Sequence, residues 1–134
     1  MMGFLIDDNR KRMKFAEDHN EANYKITGYE ASGIKINNRL FTDALILSPM
    51  TLISDWQATT ISSLNADKLD QVYELNPEII LLGTGKIQQF PNPDVLKRLA
   101  EMQIGFEIMD TQAACRTFDI IMAEGRNVVA GLFI

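Results

Sequence analysis

The fold is decided by the run GFEIMDTQAACRTFDIIMAEGRNVVAGLFI, residues 105–134. It opens on a short apolar stretch, GFEIM (105–109). It passes through Asp110 and Thr111 into some 15 residues with helical spacing of apolar side chains, and closes on NVVAGLFI (127–134). An Asp or Thr is what a helix start needs, because the first N–H groups of a helix have no partner within it. Gly125 is placed to stop the helix, since glycine adopts the left-handed backbone that ends one. The segment therefore reads strand, helix over 111–124, strand over 127–133.

The preceding stretch has the same texture. PEIILLGTGKIQQF (77–90) holds a buried strand over 78–83 that runs into Gly83-Thr84-Gly85-Lys86. NPDVLKRLAEMQ (92–103) follows, with Asn92 as N-cap and Pro93 at the first helical position. Its Val95, Leu96, Leu99 and Met102 form one stripe. Strand, helix, strand, helix, strand argues for a Rossmann-like α/β half whose three strands share one sheet. Right-handed crossovers put the two helices on one face or on opposite faces according to strand order, which the sequence leaves open. Further upstream, NADKLDQVYEL (65–75) reads as a short helix ended by Pro77. Residues 24–48 carry short apolar runs: Ile34 and Ile36 alternate with Lys35 and Asn37, and NNR (37–39) suits a hairpin turn. This N-terminal half reads as an antiparallel meander or hairpin that ends at Ser48-Pro49.

Composition bounds the function. With 134 residues, 46% hydrophobic and 23% charged, the chain is of ordinary globular type and fits one domain. Its formal net charge of −5 disfavours nonspecific nucleic-acid binding. RKRMK (10–14) is followed at once by EDHNE and reads as a solvated face or a mobile arm. No apolar run approaches a membrane span, so no membrane insertion is expected. No secretory signal is read at the start. The single cysteine excludes an internal disulfide framework, and the cytoplasm is the expected compartment.

Polar and glycine residues converge at one place, the C-terminal ends of the parallel strands, where α/β sheets bind ligands. The candidate ligand-binding residues are Gly83, Thr84, Gly85, Lys86, Asp110, Thr111 and Arg116. A phosphate loop fails twice, with Ile80 where its first glycine belongs and Ile87 where its hydroxyl belongs. A dinucleotide fingerprint fails at Gln88, and the following helix starts too late. Cys115 shares a helical face with Ala114, Phe118, Ile121 and Met122 and reads as buried. The lone histidine, His19, lies in a polar stretch far from it in sequence, so neither a Cys–His pair nor a metal site is expected. Arg116, Gln112 and Asp119 take the opposite face, with Arg116 and Asp119 as an exposed pair. Trp56 is expected to plug the join between the two halves. Structural anchoring of the glycine loop against the start of the last helix is the favoured reading, and an anion site is the competing one.

PEIILLGTGKIQQFP (77–91), the 105–134 run and ILSP…DW (46–56) together resemble the Mth938-like (DUF498) family. Its eukaryotic members include a mitochondrial complex I assembly factor and an adipogenesis-associated protein. The resemblance spans about residues 13–134, which implies that residues 1–12 are an N-terminal extension or a misassigned start. It implies a three-layer α/β fold with a mixed central sheet, a Rossmann-like C-terminal half and a β-rich N-terminal half. Gly83, Thr84, Gly85, Asp110, Thr111, Cys115 and Arg116 match the family pattern. No catalytic residue and no cofactor is implied. The function it implies is noncatalytic binding of a protein partner, of assembly-factor or chaperone type, with self-association left open. A small-molecule or nucleotide-binding domain and an enzyme of unknown reaction are the alternatives.

Overall fold

A computed structural model describes residues 23–134. The readings of residues 1–12, of RKRMK and of His19 lie outside the described residues. The N-terminal meander forms as a three-stranded antiparallel sheet, β1 (Ile26–Glu30), β2 (Gly33–Ile36) and β3 (Arg39–Phe41). The turn between β2 and β3 is Asn37-Asn38, with φ of 51° and 67°. Two consecutive left-handed residues match the twist of a hairpin, and asparagine tolerates that region.

The second sheet has five strands in the order β5-β4-β8-β6-β7. Its members are β4 (Leu45–Leu47), β5 (Leu52–Ile53), β6 (Ile79–Thr84), β7 (Gly105–Met109) and β8 (Val128–Phe133). β6 lies between β7 and β8 and is parallel to both, whereas β4 is antiparallel to β8 and to β5. The three expected strands thus share one sheet, and β4 makes that sheet mixed. The reading of residues 24–48 as a single meander is corrected at this point. After β3 the chain leaves the small sheet, and the wholly buried LIL of β4 inserts beside β8.

The strand order also settles the helix faces. The crossover from β6 to β7 through α2 (Pro93–Glu101) steps one way, and that from β7 to β8 through α3 (Thr111–Ala123) steps back past β6. Two right-handed crossovers in opposite directions place their helices on opposite faces. The two cores follow the strand alternation. Ile80, Leu82, Val129 and Phe133 pack with Val95 and Leu99 of α2, and with Leu69 and Val72 of the 65–75 segment. Leu81, Val128, Ala130 and Leu132 pack with Ala114, Cys115, Phe118 and Ile121 of α3, and with Ile34 and Ile36 of β2. The molecule is therefore a three-layer α/β sandwich around a mixed sheet, with the small sheet and α3 together forming one outer layer.

The helix signals read from sequence acquire definite partners. Asp110 Oδ1 accepts from the Ala113 N–H at 2.9 Å, so Asp110 is the N-cap of α3. Gly125, at φ 81°, ends that helix. Asn92 occupies the N-cap position of α2, but its side chain does not cap. Its amide instead donates to Ser62 O and Leu64 O, tying the distant 59–65 loop to the helix. The 65–75 segment begins as a 3₁₀ turn (Ala66–Leu69) and becomes α-helical only over α1 (Asp70–Tyr73). Trp56 is a plug, but on the α2 face and away from the small sheet. Its ring packs tilted against Phe133 with centroids 5.2 Å apart, donates to Lys68 O at 3.1 Å, and lies where a Cβ on Gly131 would meet it at 2.9 Å.

Candidate functional site

The glycine loop and the start of α3 meet at the C-terminal edge of the sheet. At this switch point the loop after β6 leaves toward one face and the loop after β7 toward the other, which is where a ligand crevice is expected. Here that position is occupied by the protein's own groups. Thr111 N–H donates to Gly85 O at 2.9 Å, and Gly85 N–H donates to Thr111 Oγ1 at 2.8 Å. The same Thr111 hydroxyl donates to Phe133 O, so one fully buried side chain joins the ends of β6 and β8 to the helix. Gly83 permits this approach: a Cβ there would lie 2.9 Å from Leu132 Cδ2, 3.0 Å from Thr111 Oγ1 and 3.1 Å from Ala114 Cβ. Gly85 supplies the turn, at φ 104°.

The remaining loop atoms are pinned from below. Thr84 Oγ1 donates to Ile87 O at 2.7 Å and accepts from Gln89 N–H at 3.1 Å. Gln88 Nε2 donates to Ile108 O at 3.3 Å, and Lys86 Nζ reaches Ala31 O in the β1–β2 turn at 3.0 Å. Three of the first four amides of helix α3 are taken: Thr111 N–H by Gly85 O, Ala113 N–H by the Asp110 carboxylate and Ala114 N–H by the Asp110 carbonyl. An anion placed there would compete with all three and with the Asp110 charge.

The candidate residues therefore divide. Gly83, Thr84, Gly85, Asp110 and Thr111 come together as one anchoring knot. Lys86 bends away toward the small sheet, and Arg116 sits a turn along α3 beside Tyr29 and Asp119. Two features at this edge were not singled out in the sequence. One is a concavity of about 300 Å³ lined by Thr59, Thr60 and Ser62 on one side and by Gly85, Lys86 and Gln89 on the other. The second is the exposure of Ile87 and Phe90, at 66% and 73%, on the pinned loop. Large apolar side chains this exposed, immediately after a buried strand, were the available signal.

Cys115 is buried against the sheet. Burial, with the Asp119 carboxylate adding and Arg116 subtracting, pushes its thiol up from an ordinary 9.0 to about 12. A thiol held protonated at neutral pH is not a nucleophile. Asp119 departs from its expected place. It forms no ion pair with Arg116 and is half-buried, because β1 lies across that side of α3. Burial raises its carboxyl above the usual value, while the facing Ile26 N–H and Lys25 pull it down.

The fold places the chain in the class of three-layer α/β proteins with a mixed central sheet, and in this chain the glycine loop is locked to a helix start. The chain belongs to the family described as Protein of unknown function (DUF498/DUF598), which matches residues 26–133. Among solved structures, a Bordetella pertussis protein described as a Mth938-like domain is similar with a TM-score of 0.73 and 31% identity, covering 90% of this chain and 92% of that one. Among curated proteins, NADH dehydrogenase [ubiquinone] 1 alpha subcomplex assembly factor 3 is similar at 28% identity over 93% of this chain in Drosophila melanogaster, and at 33% over 80% in Danio rerio. The chain spans 66% and 62% of those two relatives' lengths. A Francisella tularensis protein named 13 kDa major membrane protein is 33% identical over 66% of this chain and 72% of its own length. Among the described residues of the present chain, no helix is long and apolar enough to cross a membrane.

Proposed function

We propose that this protein is a noncatalytic binding protein of the assembly-factor type, which holds a protein partner on the loop after β6. One observation carries the reading: Ile87 and Phe90 stand exposed on a loop whose backbone and polar side chains are fixed from beneath. Apolar anchors on a preorganised loop gain affinity because little ordering is left to do on binding. The names of the assembly-factor relatives suggest the partner class, a subunit of an NADH dehydrogenase-type complex. The proposed compartment is the cytoplasm, and the single buried thiol has no disulfide to form there. The net charge supports a protein rather than a nucleic acid as partner.

The test is a photocrosslinking amino acid placed at position 90 in cells, with the crosslinked chain identified by mass spectrometry. A reproducible protein adduct, lost in the Ile87→Ser/Phe90→Ser double variant by co-purification, supports the reading. Unchanged co-purification of the same partner with that variant removes it. A saturable small-molecule ligand in the Thr59–Gly85 concavity, with no protein adduct, would favour the small-molecule alternative.

A further inference from the structure

Among the described residues the two sheets present four edge strands, β1, β3, β5 and β7. Natural sheets protect such edges with shortness, charge, proline, bulges or a covering element. β5 is two residues long, and β3 is three and begins with Arg39. β1 shifts register on β2 between Ile26 and Gly28 and lies against α3. β7 has none of these devices except a single charge. Its sequence, GFEIM, contains no lysine and no proline. Its pairing with β6 runs unbroken from Ile79–Gly105 to Gly83–Met109, and among the described strands β6 is its only partner. One row of β7 backbone groups therefore faces outward from the main sheet.

The side chains along this edge define what would complete it. Phe106 and Ile108 take the α2 face, where they pack on the core but stay half-buried. Glu107 alternates with them and is exposed on the α3 face. Its neighbour on β6 is the apolar Leu81, and among the described residues no cation pairs with it. The position beside Glu107 on an added strand is thus open to a cation, and those beside Phe106 and Ile108 to apolar side chains. A second copy of the chain fits poorly. The antiparallel register that uses the whole strand pairs Gly105 with Met109 and sets Glu107 against its own copy, where like charges repel. The edge also adjoins the exposed loop after β6. Gln88 Nε2 donates to Ile108 O at 3.3 Å, so the loop that carries Ile87 and Phe90 reaches the C-terminal end of β7.

We infer that β7 is completed by an extended segment of a protein partner, which adds to the sheet through backbone hydrogen bonds and places a lysine or arginine beside Glu107, between two apolar residues. Backbone pairing supplies the affinity in such strand addition, and the alternating side chains supply the selectivity. The apolar pair would cover Phe106 and Ile108, and the cation would meet a carboxylate that β6 leaves without a counter-charge. The owner of the strand rests on the reading of Ile87 and Phe90 as partner contacts; the pairing itself does not.

The experiment titrates the full chain with the acetylated, amidated peptide Thr-Val-Lys-Val-Thr, whose pattern reads the same in either strand direction. The Phe106, Glu107 and Ile108 amide signals are followed by proton–nitrogen NMR, and a saturable shift is expected. A peptide with glutamate at its centre should bind about fivefold more weakly, because an attraction is lost and a repulsion gained. Glu107→Lys should reverse that order while keeping the melting temperature. Two further peptides carry N-methyl groups, one on both valines and the other on the lysine. One of the two should lose binding and the other keep it, since a paired strand turns alternate N–H groups toward its neighbour. The inference is overturned by the absence of a saturable shift, by an unchanged order of the two peptides in Glu107→Lys, or by full binding of both methylated peptides. A dimer in sedimentation that the peptide dissociates assigns the edge to a second copy and overturns it equally. The peptide matches β7 alone, and its binding should survive in the Ile87→Ser/Phe90→Ser variant. Failure here therefore leaves the loop reading standing, and failure of the position-90 adduct leaves the edge.

Discussion

Thr111 concentrates more structural consequence than any other polar residue at the sheet edge. Its hydroxyl serves Gly85 N–H and Phe133 O at once, in a fully buried position. Thr111→Val preserves shape and removes both bonds. It should destabilise the fold by about 2–4 kcal/mol, because two buried backbone groups lose their partner; chemical denaturation of the two proteins measures it. Gly83→Val should cost about 1–3 kcal/mol, since its Cβ alone would meet the Leu132, Thr111 and Ala114 side chains at distances that force these neighbours to give way. If Gly83→Val keeps full thermal stability, the anchoring reading is wrong. Asp119 gives a prediction of opposite sign. Its folded carboxyl is raised above the ordinary 3.8, so the folded chain binds the proton more tightly than the unfolded one. Asp119's contribution is then fully present below that ordinary value and is lost as pH rises through the raised one. At neutral pH, Asp119→Asn should leave stability equal or higher, as shown by melting curves at pH 7 and at mildly acidic pH. Asp110 and Thr111 were legible in sequence as a helix start, because capping is a local event. Asp119 was misread as exposed, because helical spacing assigns a face but does not reveal that a strand from another sheet crosses it.

At the scale of elements, local signals were reliable wherever the element satisfies itself. The Asn37-Asn38 turn, the Pro93 start of α2 and the Gly125 stop of α3 are all set by backbone preferences of the residues themselves. Asn92 shows the limit. It stands at the N-cap position, yet its amide goes to Ser62 and Leu64, because a long-range loop offered two carbonyls to its donor. Asn92→Ala is therefore expected to loosen the 59–65 loop, seen as faster amide exchange there, more than it shortens α2. The loop after β6 behaves as a separate element. Its anchoring runs through Thr84, Gly85 and Gln88, while Ile87 and Phe90 face solvent. Ile87→Ser/Phe90→Ser should leave the melting free energy within about 0.5 kcal/mol, the range of ordinary surface substitutions. A larger loss would mean that these side chains serve the fold and not a partner.

For the whole molecule, the buried thiol of Cys115 makes an alkaline prediction. Its folded value of about 12 exceeds the ordinary 9.0, so the stability it contributes is full below about pH 9 and is lost as pH rises toward 12. The loss from this one group is about 4 kcal/mol at most, and Cys115→Ala should flatten that part of the profile in denaturant midpoints measured against pH. The same burial predicts that a thiol reagent labels the native protein far more slowly than it labels a free peptide. The sequence by itself determined the elements of the C-terminal half, their membership of one sheet, the buried stripe of α3 and the meeting of the glycine loop with its N-terminus. The elements and the stripe follow from periodicity and capping, which act over a few residues, whereas the shared sheet and the loop–helix meeting follow from the alternating strand–helix order, which puts successive parallel strands in one sheet with their loops at one edge. Tertiary structure alone decided that β4 joins the main sheet antiparallel to β8, that α2 and α3 take opposite faces, and that Arg116 stands apart from the Gly83–Gly85 knot. It also alone brought Tyr29 of β1 opposite Asp119 of α3. Strand order and the packing of one sheet over another are fixed by contacts between residues distant in the chain, and no local preference encodes which distant partner a strand or helix will meet.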